Sequence, residues 1–145
     1  WGFGSAFVYS ILCLFSGRVF SWGLSPVVLI VCILADYIFA FTVLGFAGLF
    51  SKKRFGFFYG TLLGSALRFL VHYVVGATIW AEYMPETFFG LTMTSPWFYS
   101  ALYNGSFMLI DMVLVLVIGA LLWKPLRKYI TGEDLHGAAN AKNEG

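Results

Sequence analysis

Charged residues are scarce in this chain. Lysine, arginine, aspartate and glutamate make up 11% of its 145 residues, whereas soluble domains carry about 25%. Hydrophobic residues account for 60%, which excludes intrinsic disorder because disordered chains combine low hydrophobicity with high net charge. The formal net charge is only +2, and most of the basic residues fall in two clusters, so no nucleic-acid-binding surface is indicated. These properties exclude a water-solvated globule and favour a membrane protein.

Patterns typical of metal sites, disulfides and catalysis are also missing. Cys13 and Cys32 lie inside apolar stretches and belong to no CxxC pair or Cys/His cluster, so we expect neither a metal site nor a structural disulfide. The sequence contains no HExxH motif, no GxxxxGK[ST] loop and no credibly spaced Ser-His-Asp set. We therefore expect no cofactor, no enzymatic activity and no ATP hydrolysis by this chain.

Long apolar blocks separated by short polar stops fill the chain to about residue 130. The last three blocks have roughly 25 residues, about 38 Å as helix, which is enough to cross a bilayer. The pattern predicts an all-α integral membrane protein with four transmembrane helices over 1–130, followed by a polar, disordered tail over 131–145. Because the first block is already under way at Trp1, we interpret the chain as a fragment without its natural N-terminus. The blocks run from about Trp1 to Ser16, Ser25 to Phe50, Phe55 to Trp80 and Ser95 to Trp123.

The basic residues predict how the spans are oriented. Lysine and arginine cluster at 52–54 and 124–128, so the segments 51–54 and 124–145 are expected on the cytoplasmic side. The loop 81–96 contains acidic residues and no basic one, so it is expected outside together with the loop 17–24, where Arg18 is a single exception. Tryptophans near the span ends fit an aromatic belt at the membrane interfaces.

Four ionisable residues interrupt the apolar spans: Asp36, Arg68, His72 and Asp111. A charge at the bilayer centre costs about 2.5–3.5 kcal/mol on insertion scales, so these side chains must face a protein interior or a wet cavity. Arg68 is expected to neutralise Asp36 or Asp111. Its pairing with Asp111 could equally be a purely structural contact between helices.

Residues from three helices are predicted to converge at similar depth below the outer surface. At ~1.5 Å per residue, His72 and Asn104 lie about 12 Å below the outer span ends, and Asp36 about 15 Å. Arg68, His72, Gly76 and Trp80 follow each other at a spacing of four and share one helix face. The rings of Trp80, His72 and Tyr99 could stack on a flat ligand, Asn104 could donate and accept hydrogen bonds at a heterocycle edge, and Asp36 could hold a cation. The alternatives are that His72 is a satisfied core histidine and that Trp80 and Tyr99 are ordinary belt residues.

The strings LRFLVHYVVGATIWAEYMPE (67–86) and SPWFYSALYNGSFMLID (95–111) resemble the thiamine transporter ThiT family, and the resemblance covers nearly all of residues 1–130. Members are substrate-binding S-components of energy-coupling factor (ECF) transporters. The resemblance implies a six-helix fold, of which this chain has the last four helices, with an outward-facing thiamine pocket. It also places Phe20 near a pocket tyrosine of some relatives. By position it implies that the ligand-binding residues are Asp36, Tyr37, Arg68, His72, Trp80, Tyr99 and Asn104.

The implied function is capture of thiamine from outside the cell by a multi-pass cell-membrane subunit. The implied partners are thiamine, a transmembrane coupling subunit, two separate ATPase subunits and the lipid bilayer. Thiamine chemistry fits the residues, since its permanently cationic thiazolium needs a carboxylate, for which Asp36 is the candidate. Alternatives left open by the sequence are an S-component for another vitamin, a structural membrane protein without a ligand, and an intramembrane enzyme.

Overall fold

A computed structural model describes residues 2–133. Four helical segments in this range are long and apolar enough to cross a membrane: Gly2–Ser21, Pro26–Phe50, Gly56–Thr78 and Pro96–Tyr129. Strand structure in the described range is confined to one short hairpin. The prediction of an all-α integral membrane protein with four transmembrane helices is therefore confirmed. Most of the predicted tail, residues 134–145, lies outside the described residues.

The first span consists of helix α1 (Gly2–Ser16) and a 3₁₀ turn (Val19–Ser21). Arg18 joins them in the left-handed conformation, with φ of 53°, and this reverses the chain at the membrane surface. The turn folds Val19 back onto α1, where it is buried with Leu14 and Cys32. This small apolar cluster fixes the end of α1 against the second span.

The second span changes its helical type several times. Ser25 caps its N-terminus by accepting a hydrogen bond from the Val28 amide, with a proline in the first turn, as is typical of helix starts. Helix α2 then gives way to a π-helical segment, helix α3 and a 3₁₀ segment. Their bounds are Pro26–Cys32 for α2, Ile33–Phe39 for the π-helix, Ala40–Thr42 for α3 and Val43–Phe50 for the 3₁₀ helix.

Helix α4 (Gly56–Thr78) packs between the second span and the last helix. Its glycines allow close packing: a Cβ atom at Gly60 would lie 2.7 Å from the Ala47 carbonyl oxygen, and one at Gly64 would lie 3.3 Å from the Leu44 side chain. Gly60 and Gly64 form a GxxxG pair, whose small residues let neighbouring helices approach closely. Gly48, by contrast, has nothing within 4 Å of its Cβ position.

The outer loop after α4 contains a 3₁₀ turn (Ala81–Tyr83) and a hairpin of β1 (Thr87–Phe88) and β2 (Leu91–Thr92). The two hairpin residues, Phe89 and Gly90, both have positive φ, at 52° and 75°. Such dihedrals are typical of a type I′ turn, whose twist matches that of the strands. The hairpin directs the Phe88 ring onto Tyr99.

Helix α5 (Pro96–Thr131) is capped by Ser95, whose side chain accepts a hydrogen bond from the Phe98 amide. The apolar block ends near Trp123, and the helix continues from there through Pro125 to Thr131. Hydropathy marks where a helix leaves the lipid, whereas helical hydrogen bonding continues in water. With 36 residues, α5 is about 54 Å long and extends past the hydrocarbon core.

Candidate functional site

A cavity of about 410 Å³ lies between the second span, α4 and α5. Small-molecule sites usually have volumes of about 300–1,000 Å³. The cavity is lined by carboxylate, guanidinium, imidazole, amide and hydroxyl groups set among aromatic rings. The lining residues are Trp22, Cys32, Asp36, Tyr37, Phe41, Arg68, His72, Gly76, Trp80, Tyr83, Tyr99, Ser100, Tyr103, Asn104 and Phe107.

All the residues that the sequence singled out as ligand-binding lie on this one cavity. The helical depth estimates predicted this convergence correctly, since the residues come from three different spans. Their role in binding a ligand stays a prediction. The set comprises Asp36, Tyr37, Arg68, His72, Trp80, Tyr99 and Asn104.

The carboxylate of Asp36 lies at the centre of the polar contacts. The indole Nε1–H of Trp80 donates to Asp36 Oδ2 at 2.6 Å, and His72 Nδ1 lies 3.0 Å from Asp36 Oδ1. Asp36 belongs to the π-helical segment, a distortion that often occurs at functional sites. The wide turn thus presents the carboxylate to His72 on α4 and to Trp80 just beyond the end of α4, whose side chains are then held in fixed orientations.

His72 has one ring nitrogen engaged and one unpartnered. While Nδ1 contacts Asp36, its Nε2 atom is buried without a hydrogen-bond partner among the described residues. The ring also stands edge-on to Phe41, with centroids 6.4 Å apart. Since buried polar atoms are normally hydrogen-bonded, Nε2 marks a position where a ligand atom or a water would complete the site.

Asn104 ties α5 to α4. Its Nδ2 atom donates to the His72 carbonyl oxygen at 3.2 Å and approaches the carbonyl and hydroxyl oxygens of Ser100 at 3.1 and 3.0 Å. The Ser100 hydroxyl in turn donates to the Tyr73 carbonyl oxygen at 2.8 Å. Gly76 makes this close approach possible, because its Cβ position would collide with Ser100 and lie 3.0 Å from Asn104 Nδ2. The donor side of the Asn104 amide is therefore used within the protein, which leaves Oδ1 as the group it can offer to a ligand.

Arg68 pairs with Asp111 rather than with Asp36. Its Nη1 atom donates to Asp111 Oδ2 at 3.0 Å, and its guanidinium carbon lies 4.5 Å from the centre of the Phe41 ring. The Asp111 side chain is 56% exposed and that of Arg68 18%. Of the two partners that the sequence left open for Arg68, the structure selects Asp111, and Asp36 keeps its charge unpaired by arginine.

Aromatic rings that the sequence analysis did not select complete the cavity wall. Tyr103 and Phe107 follow Tyr99 at intervals of four on α5, and neighbouring rings are 5.6 and 5.7 Å apart. This i, i+4 spacing is a signal that could have identified them. Phe88 of the hairpin packs edge-on to Tyr99 at 5.5 Å, so the hairpin contributes to this end of the wall.

The contribution of the first span differs from what the resemblance implied. Phe20 is 59% exposed, packs against Phe15 and is not among the cavity residues. Trp22 takes a place on the wall instead, edge-on to Trp80 at 6.0 Å. The short turn after α1 accounts for the difference, because it points successive side chains in different directions.

Tyr37 reaches across to the end of α1. A Cβ atom at Gly17 would lie 2.6 Å from the Tyr37 hydroxyl oxygen, so only glycine leaves room for this side chain. No group of three or more metal-ligating side chains is found in residues 2–133. The arrangement as a whole offers one carboxylate between flat aromatic faces, which suits a planar, positively charged ligand.

Comparison with known proteins agrees with this chemistry. The model of the family described as "Thiamine transporter protein" matches residues 1–131. A curated relative from Lacticaseibacillus paracasei (strain ATCC 334), named "Thiamine transporter ThiT", is 32% identical over 101 residues. That match covers 60% of this chain and 47% of the relative, so the chain spans about half of the relative's length.

Proposed function

Because the chain belongs to the thiamine transporter protein family, we propose that it forms the thiamine-binding part of an ECF-type S-component in the cell membrane. In this role it captures thiamine from outside the cell for uptake. The membrane setting rests on the four spans and on the family. The identity of the ligand is argued below from the cavity.

The observation that carries the proposal is the buried carboxylate of Asp36 in the cavity. The side chain of Asp36 is only 13% exposed, and among residues 2–133 neither lysine nor arginine lies within ion-pair distance of it. Its partners are the imidazole of His72 and the indole N–H of Trp80, and a buried carboxylate without a permanent cation beside it is costly. The permanently charged thiazolium of thiamine would supply that cation, and an uncharged ligand would not.

The aromatic rings around Asp36 suit the flat rings of thiamine. Trp80 is oriented by its own hydrogen bond to the carboxylate, so its face and the negative charge are presented together. Cations are attracted to tryptophan faces by about 0.5–2 kcal/mol, depending on desolvation. Charge and stacking thus favour a planar cation over a neutral ring.

Two polar atoms remain for the aminopyrimidine edge. If the His72 proton is on Nδ1, where it is donated to Asp36, the unpartnered Nε2 is an acceptor. Asn104 Oδ1 is a second acceptor. An exocyclic amino group has two N–H donors, which would satisfy both atoms.

The energy for transport is proposed to come from other subunits. A transmembrane coupling subunit and two ATPase subunits are the implied partners, and this chain supplies recognition only. No enzymatic activity is assigned to it, because its polar cavity groups are explained by ligand binding.

The proposal is tested by quenching of tryptophan fluorescence in the full-length protein on titration with thiamine. Trp80 and Trp22 lie on the cavity, so micromolar thiamine is expected to quench. Trp80→Phe should reduce the signal. The matched control Trp123→Phe should retain it, because Trp123 lies on α5 at the other end of the spans, where it packs against Phe57. Quenching by riboflavin or biotin but not by thiamine would overturn the ligand assignment, and no response to any vitamin would favour a structural protein.

A further inference from the structure

A second cavity, of about 860 Å³, lies at the opposite end of the spans from the aromatic cavity. We call it the basic cavity. It lies between the linker 51–55, the first turns of α4 and the end of α5. Its lining residues are Ala47, Gly48, Ser51, Lys52, Lys53, Arg54, Phe55, Gly56, Phe57, Gly60, Thr61, Trp123, Arg127 and Glu133.

The charge of the basic cavity is strongly positive. Four basic residues line it against a single carboxylate, that of Glu133, which lies 3.9 Å from Arg127. Within residues 2–133 no acidic side chain lies within ion-pair distance of Lys52, Lys53 or Arg54. Three cations therefore line one concave surface without an ion-pair partner among residues 2–133, which favours an anionic occupant.

The opposite wall of the basic cavity is apolar and lies at the level of the membrane interface. Trp123 packs against Phe57 and Phe58, with ring centroids 6.3 and 6.1 Å apart, and tryptophan at a span end is typical of the headgroup region. Gly60 packs against Ala47 at the base. The positive-inside rule places this end of the molecule on the cytoplasmic side, where the leaflet carries anionic lipids.

We propose that the basic cavity binds the phosphate headgroup of an anionic phospholipid from the cytoplasmic leaflet. The linker cations contact the phosphate, and the aromatic wall contacts the beginning of the acyl chains. A phospholipid fits better than a soluble anion, because the cavity has basic residues on one side and an apolar wall on the other. A headgroup with its acyl chains would contact both. This inference is independent of the ligand assigned to the aromatic cavity.

The test measures lipid binding by the full-length protein in detergent. The protein is titrated with phosphatidylglycerol, and occupancy is read by native mass spectrometry. Lys53→Gln/Arg54→Gln removes two charges from the basic cavity, and Lys124→Gln/Lys128→Gln is the matched control, since those residues lie at the same membrane end but do not line the cavity. The cavity variant loses two charge-assisted contacts to the bound phosphate and should bind roughly a hundredfold more weakly. The control should lose less than about threefold.

The charge-preserving variant Lys53→Arg/Arg54→Lys should bind like the wild type, and thermal unfolding identifies any variant that fails to fold. Equal losses in the test and control variants would overturn the proposal in favour of diffuse surface attraction. Competition by glycerol phosphate as strong as that by the lipid would overturn it in favour of a soluble anion. Unchanged lipid binding, with loss of co-purification with the ATPase subunits, would overturn it in favour of a protein-docking surface.

Discussion

Asp36 contacts two polar side chains at once, those of His72 on α4 and of Trp80 just beyond it, and this makes it the most informative residue to change. Asp36→Asn keeps the size but removes the charge, so the cation of thiamine loses its partner. Removing one partner of a buried pair of opposite charges costs about 2–5 kcal/mol, which corresponds to a loss of affinity of roughly 30-fold or more. Titration followed by tryptophan fluorescence measures this loss.

The specificity of that effect is tested with the uncharged aminopyrimidine alcohol that corresponds to half of thiamine. Its affinity should fall much less in Asp36→Asn, because the ligand has no cation to lose. Equal losses for both ligands would show that Asp36 only positions Trp80 and His72. Thermal unfolding of the variant separates either result from general destabilisation.

Arg68 and Asp111 give a second prediction at this scale. Arg68→Ala leaves Asp111 unpaired inside a transmembrane helix, where an aspartate costs about 2.5–3.5 kcal/mol on insertion scales. The variant is expected to unfold at lower temperature in lipid nanodiscs. The double variant Arg68→Met/Asp111→Leu should regain most of the loss, since it leaves no unpaired charge in an apolar span. No recovery in the double variant would contradict a structural pairing.

Sequence reasoning predicted which polar residues meet, because an ionisable group in an apolar span has to face inward. It did not predict how they meet. That Trp80 donates to Asp36, or that Asn104 uses its amide to join α4 and α5, depends on side-chain orientation. Phe20 and Trp22 illustrate the same limit, since a turn of a few residues decides which ring reaches the cavity.

At the scale of elements, the contact between α4 and α5 depends on one missing methyl group. Gly76→Ala would push a Cβ atom into Ser100 and Asn104, and overpacking of this kind costs typically 1–3 kcal/mol. Both thermal stability and thiamine affinity are expected to fall, because the bonds from Asn104 lie at this contact. Gly48→Ala is the matched control, with open space around its Cβ position, and should change neither. Comparable losses in both variants would show that glycine flexibility, and not packing, is what matters.

Hydropathy predicted the number and approximate bounds of the spans, since apolar length is what a bilayer requires. It could not predict the π and 3₁₀ segments of Pro26–Phe50, because residue composition is the same whichever hydrogen-bonding pattern the backbone adopts. The end of α5 lies beyond the apolar block for a related reason. Lys124 and Arg127 are good helix formers, and the helix continues after the lipid has ended.

At the scale of the whole molecule, the distribution of basic residues predicts that the loops 17–24 and 81–96 face outside. The segments 51–54 and 124–145 are predicted to face the cytoplasm. In a background with Cys13→Ser and Cys32→Ser, Glu86→Cys should react with a membrane-impermeant maleimide added to intact cells. Lys128→Cys should react only after the membrane is opened. The reverse pattern would invert the topology and place the aromatic cavity on the cytoplasmic side. Gel-shift labelling measures both.

The π-helical turn of the second span has a consequence for how this segment tolerates deletion. Because a π turn takes up one residue more than an α turn, removing a single residue from Ile33–Phe39 would restore ordinary α-helical winding and leave the helix before and after it nearly in register. The wide turn that presents the Asp36 carboxylate would then be lost, although span length and apolar character would hardly change. A deletion of one residue would thus leave a helix that still spans the membrane but no longer recognises the ligand.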